Sequence, residues 1–432
     1  MSAKALTAPL ERPSSRIPGF YRRDVRSRHE ELAERFDLTD EELDLLRGTG
    51  MEGVPIADKM VENCVGVLCL PVGLGLNFQV NGQDYVVPMA IEEPSVVAAA
   101  SNMARIIRAS GGFAAWANDS LMIAQVQVLA IDEPFRARAN IEQAAERILE
   151  AANQRHANMV ARGGGARSLE VRVLDSEPQM LVVHLLVDCR DAMGANIVND
   201  MAESVAPLIE EVSGGRVRLR ILSNLADRRL ARAQCAIREE LLARQGRDGS
   251  AVAEGVVEAY RFAVADPYRA ATHNKGVMNG IDAVGIATGN DWRGLEAGAH
   301  AYAARNGRYE PLTRWWRNDG YLRGEIELPM AVGTVGGSTR VQPILRVFRK
   351  LLRAETAQEL AMVMVAVGLA QNLGALCALA TEGIQRGHMN LHARSVALAA
   401  GVSQDRIDDV AAKLVRIGQF SPSAARRIAE SE

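Results

Sequence analysis

Between residues 120 and 225 the chain alternates apolar and polar residues in short runs separated by stretches of helical period. "MIAQVQVLAI" sets Gln125 and Gln127 against Val126 and Val128. "LEVRVLD" does the same at Glu170 and Arg172, and "RVRLRIL" closes with strict alternation. A period of two puts one face on a core and the other in water, so these runs predict half-buried strands. "MLVVHLLVDC" is nearly all apolar and predicts a more fully buried strand. A helix is predicted from about Arg136 to Val160, and a second over "MGANIVNDMAESVAPLIEEV". The order is β-α-β-β-α-β, the split βαβ or ferredoxin-like unit.

This unit reads as an insertion, because the chemistry-bearing loops lie on both sides of it. The predicted fold class is therefore α+β. A large mixed α/β domain is expected from 1–118 and 228–384, interrupted by the small ferredoxin-like domain at 119–227. A helical tail follows at 385–432, built from short helices broken at Gly401, with Ser403 and Ser421 as N-caps. Such a terminal appendage can move as a lid. "LTDEELDLLRGTG" carries a capping box, Thr39 and Glu42, with Gly48 as the stop. The Arg-rich stretch before it reads as poorly ordered. Pro94 opens a helix whose apolar residues, Val96, Ala100, Met103 and Ile107 among them, recur at helical spacing. An amphipathic helix is predicted near Asp227–Cys235.

Leu360 to Ala370 is wholly apolar, but Gln371 and Asn372 interrupt the run before "LGALCALA" resumes. A membrane span needs about 20 apolar residues, and two adjacent amides at its midpoint are costly. A helix buried in a protein core is the expectation, with no membrane partner. Lys plus Arg number 50 against 53 Asp plus Glu, which gives no basic excess for nucleic acid. No pair of the five cysteines has CxxC spacing, so neither a disulfide scaffold nor a structural zinc site is expected. The N-terminus lacks the apolar h-region of a secretory signal, and a cytoplasmic protein is expected.

Several residues carry possible chemistry. Lys275 lies in "THNKGVMNG", which reads as a polar, glycine-rich loop with Arg269, Thr272 and Asn279 close by. A lysine ammonium can stabilise a developing oxyanion or form a Schiff base. The aspartate that returns in "GND", Asp291, would keep the ammonium charged and so favour the first role. That reading places Lys275 and Asp291 within salt-bridge reach. Glu92 and Glu93 precede Pro94, where acids also favour a helix start through its dipole. "RGHMNLH" offers His388 and His392 four apart, a spacing that gives two metal ligands and no third. His388 beside Gly387 suits a general acid near neutral pH. "DCRDAMGANIVN" joins a buried strand to a helix, and backbone N–H groups at a helix start can hold phosphate. "GTVGG" at 333–337 is a second loop of that kind. No GxGxxG follows a strand, so a Rossmann domain is disfavoured.

Together these segments resemble hydroxymethylglutaryl-coenzyme A (HMG-CoA) reductase, and more closely its bacterial, soluble class II. The segments are "ENCVG" at 62–66, "EEPSVVAAAS" at 92–101, "DAMGAN" at 191–196, "DPYRAATHNKGVMNGIDA" at 266–283, "ATGNDWR" at 287–293, "VGGST" at 335–339 and "EGIQRGHMNLHAR" at 382–394. They stand in the family's order and span most of the chain. The resemblance implies a homodimer, or an assembly of dimers, with active sites at the subunit interface and no metal. It implies reduction of a thioester to an alcohol by two nicotinamide hydrides, interconverting HMG-CoA with mevalonate and CoA through mevaldehyde.

By that resemblance, Lys275 stabilises the carbonyl oxygen, Asp291 tunes Lys275, Glu93 protonates the aldehyde oxygen and His388 protonates the departing thiolate. Ser95, Arg269, Thr272 and Asn279 bind the hydroxymethylglutaryl group. Asp191, Met193, Gly194 and Asn196 bind the coenzyme. Relatives that use NAD carry an acid near the end of the first small-domain helix, where this chain reads "NQRHANMV". Arg155 and His156 stand there instead and would suit a 2′-phosphate. NAD is the expected coenzyme, with NADP as the alternative. Two other readings are a catalytically silent family member and a CoA-thioester lyase or acyltransferase, which would want an activated cysteine or a metal cluster.

Overall fold

The computed structural model describes residues 12–48, 54–177, 179–337, 341–381 and 383–431, with the backbone alone at 54 and 384–391. Its strands run in order β1 (Val72–Val80), β2 (Gln83–Ala90), β3 (Ala114–Ala117), β4 (Leu121–Leu129), β5 (Gly165–Leu174), β6 (Met180–Asp188), β7 (Arg216–Ser223), β8 (Leu230–Arg238), β9 (Thr313–Asn318) and β10 (Tyr321–Pro329). The alternating block forms one four-stranded sheet in the order β5-β6-β4-β7, antiparallel throughout. That order, with two crossover helical segments, is the ferredoxin-like arrangement. Its core is a separate cluster in which Val126, Val183 and Leu185 meet Val198, Met201 and Val205 of the helix Ala195–Ser213.

The second sheet has the order β3-β8-β10-β9. β3 and β8, the strands on either side of the ferredoxin-like block, pair antiparallel from Ala114↔Gln234 to Ala117↔Ala231. The chain thus leaves and re-enters this sheet on neighbouring strands. β8 occupies the stretch predicted as an amphipathic helix. Its Ala- and Arg-rich composition favours helix, but Ala231, Ala233, Cys235 and Ile237 are buried while the residues between them are less so. A period of two, filled with small residues so that strands and helices approach closely, decides the outcome.

The predicted helix over 136–160 is three helices, Pro134–Gln143, Ala145–Arg155 and Ala157–Ala161, with non-helical backbone at Ala144 and His156. The Arg-rich N-terminal stretch contains a regular helix, Val25–Phe36, whose N-cap Asp24 accepts from the Ser27 N–H. The capping box of Thr39 and Glu42 is present at the start of Asp40–Arg47. In the tail, Ser421 caps Pro422–Glu430. Ser403 does not cap a helix: Arg406 precedes Ile407–Ile417, and the Ser403 carbonyl closes a turn with the Arg406 N–H.

The 24-residue helix Ala357–Ala380 runs through the main core, and most of its apolar stretch is buried inside the protein. Of the two amides in its middle, Asn372 is fully engaged in the core, whereas Gln371 Oε1 is buried with no hydrogen-bond partner among the described residues. Asn372 Oδ1 accepts from Thr313 Oγ1 at 2.9 Å and from Trp315 Nε1 at 2.8 Å, and its amide faces His273 Nε2 at 3.2 Å. A buried polar side chain that makes such bonds specifies how three elements pack.

Candidate active site

Lys275 lies on a helix, not in a loop. Asp266 caps the N-terminus of Pro267–Ala287 by accepting from the Arg269 N–H at 3.1 Å, and Pro267 fits the first position. The glycines that suggest a loop serve helix packing. A Cβ on Gly280 would stand 3.0 to 3.1 Å from Gln371 and Val367 of the long helix. Arg269, Thr272, Lys275 and Asn279 are spaced three, three and four apart, which places them along one side of this helix. Lys275 is exposed, and among the described residues no ion pair engages its ammonium or the Arg269 guanidinium. Arg269 is partly buried, which lowers its pKa. A half-buried guanidinium without a counter-ion is suited to an anionic ligand.

Glu93 is the N-cap residue of Pro94–Arg108. Its Oε1 accepts from Ser95 Oγ at 3.0 Å and lies 3.1 Å from His392 Nε2. Among the described residues, the histidine brought to the glutamate is His392, on the helix Ile384–Ala399. The His388 side chain lies outside the described residues. A Cβ on Gly374 of the long helix would meet Ala99 at 3.2 Å, and one on Gly276 would meet Ala375 at 4.0 Å. Adjacent residues of the long helix thus back both the Glu93 helix and the Lys275 helix.

The predicted coenzyme residues form a second centre. Gly194 is the N-cap of Ala195–Ser213, with φ +102° and no side-chain cap. A Cβ there would lie 2.2 Å from Cys189 Sγ, so the tight turn requires glycine. The turn leaves first-turn N–H groups of the helix open to an anion. Arg229, only 4 % exposed, anchors it from beneath by donating to the carbonyls of Ala192, Met193 and Val332. Burial lowers its pKa to about 10, and the carbonyls supply the compensation. Asp191 Oδ1 accepts from the Ala357 N–H at 2.9 Å, so this carboxylate caps the long helix. The Asp191 carbonyl also accepts from the Thr334 N–H at 2.8 Å, which ties "GTVGG" to the same loop. Asn290 Oδ1 accepts from the Gly333 N–H at 2.8 Å. A Cβ on Gly333 would lie 2.4 Å from the Met193 nitrogen.

Asp291 belongs to this second centre. It caps Trp292–Ala303 by accepting from the Gly294 N–H at 3.2 Å, and it pairs with Arg293 at 3.5 Å. The expected Lys275–Asp291 salt bridge is not made within the chain. About 18 Å of helix separates Lys275 from Ala287, after which the chain turns toward Gly333.

Sequence reading does not single out Arg229, which sits in "ADRRLA" with no motif around it. It also misses Asp200. From the helix Ala195–Ser213, Asp200 Oδ2 receives Arg155 Nε at 3.0 Å and lies 2.8 Å from His156 Nε2. A different helix thus brings a carboxylate to "NQRH". Burial raises the thiol pKa of Cys189 and Cys235 to about 12 and of Cys377 to about 11, so none of these three is an activated nucleophile.

Known proteins resemble this chain in sequence and in fold. The family model for hydroxymethylglutaryl-coenzyme A reductase matches residues 24–393. A 3-hydroxy-3-methylglutaryl-coenzyme A reductase of Archaeoglobus fulgidus is 51% identical over 96% of this chain and 94% of its own length. A probable reductase of Borreliella burgdorferi is 35% identical over 78% of this chain and 77% of its own. The reductase structure from Streptococcus pneumoniae superposes with a TM-score of 0.82 at 44% identity, covering 96% of this chain and 99% of that one. A class II structure from the same organism, bound to NADPH in open conformations, gives 0.81 at 45% identity over 84% and 99%. On the family model, on identity along nearly the whole chain and on fold, this chain belongs to the class II hydroxymethylglutaryl-coenzyme A reductases.

Proposed function

We propose that the chain catalyses the reductase reaction, interconverting HMG-CoA with mevalonate and CoA, in a homodimer whose active sites each draw on two copies. The long helix carries this reading. Asp191 caps its N-terminus at Ala357, while Gly276, next to Lys275, faces Ala375 about 27 Å further along. A single chain holds the lysine centre and the coenzyme centre at opposite ends of one rigid rod. A second copy, related by a two-fold axis, would lay its coenzyme loop and Asp291 beside the first copy's Lys275. The segment 61–72 supports an interface: Val65 is 100 % and Leu68 91 % exposed, with Val61, Val67 and Leu70 also open.

A nicotinamide coenzyme supplies the two hydrides when bound, and the Gly194 turn, with Asp191, Met193 and Asn196, is the cradle that fits it. The other steps belong to this chain's side chains. Arg269 pairs with the free carboxylate of the hydroxymethylglutaryl group, and Ser95, Thr272 and Asn279 orient it. Lys275 stabilises the carbonyl oxygen as negative charge develops. The partner's Asp291 keeps that ammonium charged. His388 protonates the thiolate of CoA, which would otherwise re-attack mevaldehyde. Glu93 delivers a proton to the aldehyde oxygen in the second reduction. NAD is the preferred coenzyme, because Asp200 sets a carboxylate where the adenosine ribose hydroxyl can donate to it. NADP is the alternative, favoured by the exposed Arg155 at the same place.

The test is a mixed dimer. Lys275→Ala and Asp291→Ala chains, each inactive alone by nicotinamide absorbance with HMG-CoA, should recover measurable rate when co-assembled, because one of the two sites then has both residues. No recovery in verified hybrids would refute the shared site. No rate from the wild-type chain with either coenzyme would refute the activity.

A further inference from the structure

The side of the helix Pro267–Ala287 that carries Thr272, Lys275 and Asn279 ends at Asp282, three residues beyond Asn279. Asp282 lies against Glu296 of the helix Trp292–Ala303, close enough for the two carboxyl groups to act on each other directly. Two carboxylates in contact cannot both hold a charge without strong repulsion, so one must carry a proton. Burial points the same way. Asp282 Oδ1 is buried and has no hydrogen-bond partner among the described residues. A carboxylate in that state leaves charged oxygen unsatisfied, whereas a neutral acid leaves only a carbonyl.

Glu296 is tied further. His300 Nε2, one turn on, lies 2.5 Å from Glu296 Oε2, and His300 Nδ1 is 2.6 Å from the Tyr309 hydroxyl. The side chain of Asn274, the residue before Lys275, lies near that hydroxyl. Asn274 itself donates to the Glu310 carbonyl at 2.9 Å and accepts from the Leu312 N–H at 2.8 Å. The chain of contacts therefore leaves the lysine helix at Asp282 and returns to it at Asn274. The helix it grips is the one that Asp291 begins.

We propose that Asp282 and Glu296 share one proton and so latch the helix that begins at Asp291 to the helix that carries Lys275, which makes Asp282 a positioning residue for the reduction. The inference rests on the roles assigned above to Lys275 and Asp291. Burial and the neighbouring carboxylate raise the Asp282 pKa to about 9. Among the described residues Glu296 is the charged group acting on it, with His300 and Tyr309 one and two contacts further out. The faces turned to the long helix are apolar there, where Ile281 packs on Gly368 and Gly285 approaches Met364.

The full-length dimer tests the latch through pH profiles of kcat for wild type, D282N and E296Q. An asparagine at 282 mimics the protonated acid in shape and donation but cannot lose the proton. D282N should retain at least half of the wild-type kcat at pH 7 and should lose the component of the alkaline limb near pH 9. In E296Q the amide can donate to an ionised Asp282, so the contact no longer needs the shared proton and that component should be lost as well. D282A, which cannot donate at all, should lose kcat about tenfold while the KM for HMG-CoA changes little. Superposable alkaline limbs in wild type and both amide variants would overturn the latch, because a limb set by Lys275 alone is common to all three. If the wild-type chain does not reduce HMG-CoA, the assigned activity fails instead. The latch is then read from melting temperature, whose fall with pH must be less steep in D282N than in wild type for the shared proton to stand.

Discussion

Asp191 Oδ1 lies 2.9 Å from the backbone nitrogen of Ala357, so the loop proposed to hold the coenzyme adds a second acceptor, beside the N-cap Thr356, to the helix whose far end backs Lys275. On the proposed function one carboxylate serves both the helix start and coenzyme binding. Asp191→Ala should cost about 1 kcal/mol of stability, the usual loss for a helix cap, and raise the KM for the coenzyme. Asp191→Asn keeps an acceptor oxygen and should restore most of the melting temperature. Thermal melts beside coenzyme titrations separate the two effects.

Lys275 is exposed and makes no ion pair among the described residues. Lys275→Ala should therefore leave the melting temperature within the scatter of a surface substitution. It should lower kcat by about 100-fold to 1,000-fold, the scale of a lost oxyanion donor. A variant with near-normal turnover would remove the lysine from the chemistry.

Gly194→Ala tests the coenzyme turn. Its Cβ would press on Cys189 at 2.2 Å in a backbone conformation of φ +102°, a strain of about 1–3 kcal/mol. The loop should shift to relieve it. The expected result is a large rise in coenzyme KM with little change in the KM for HMG-CoA.

Asp200 holds Arg155 and His156. Asp200→Asn should free both cations and raise the ratio of kcat/KM for NADPH over NADH about tenfold, near the value of one charge-assisted hydrogen bond. Arg155→Ala in the same background should reverse the gain. A ratio that does not move would place the ribose elsewhere.

Stability should also report on Asp282. Its folded pKa is raised to about 9, so the folded chain keeps a proton that the unfolded chain releases near the ordinary aspartate value of 3.8. The stability from this group is complete below that value. It declines as pH rises toward about 9 and is constant beyond. Melting temperatures across that window should fall less steeply in Asp282→Asn than in wild type.

The ferredoxin-like sheet was legible because each strand pairs water on one face with a core on the other, and that alternation is written residue by residue. β8 was not legible, because alanine serves both a helix and a tightly packed strand, and the choice rests on β3 and β10 alongside it. The Lys275 helix was misread for a related reason. Gly276 and Gly280 look like loop residues until the long helix is placed against them. Candidate residues could be named one by one, but their separation along the long helix could not. That separation comes from the length of Ala357–Ala380, which no short motif records. Asp200 and Arg229 act on residues at least 36 positions away in the chain, so no local pattern marks them.

The long helix acts as a gauge block between two halves of chemistry. Loops elsewhere can lengthen or shorten without disturbing it. Adding or removing one residue between Ala357 and Ala375 would turn one end by about 100° and slide it about 1.5 Å. In the proposed dimer, where each copy would lend one end to each site, that single change would misalign both sites of the pair together.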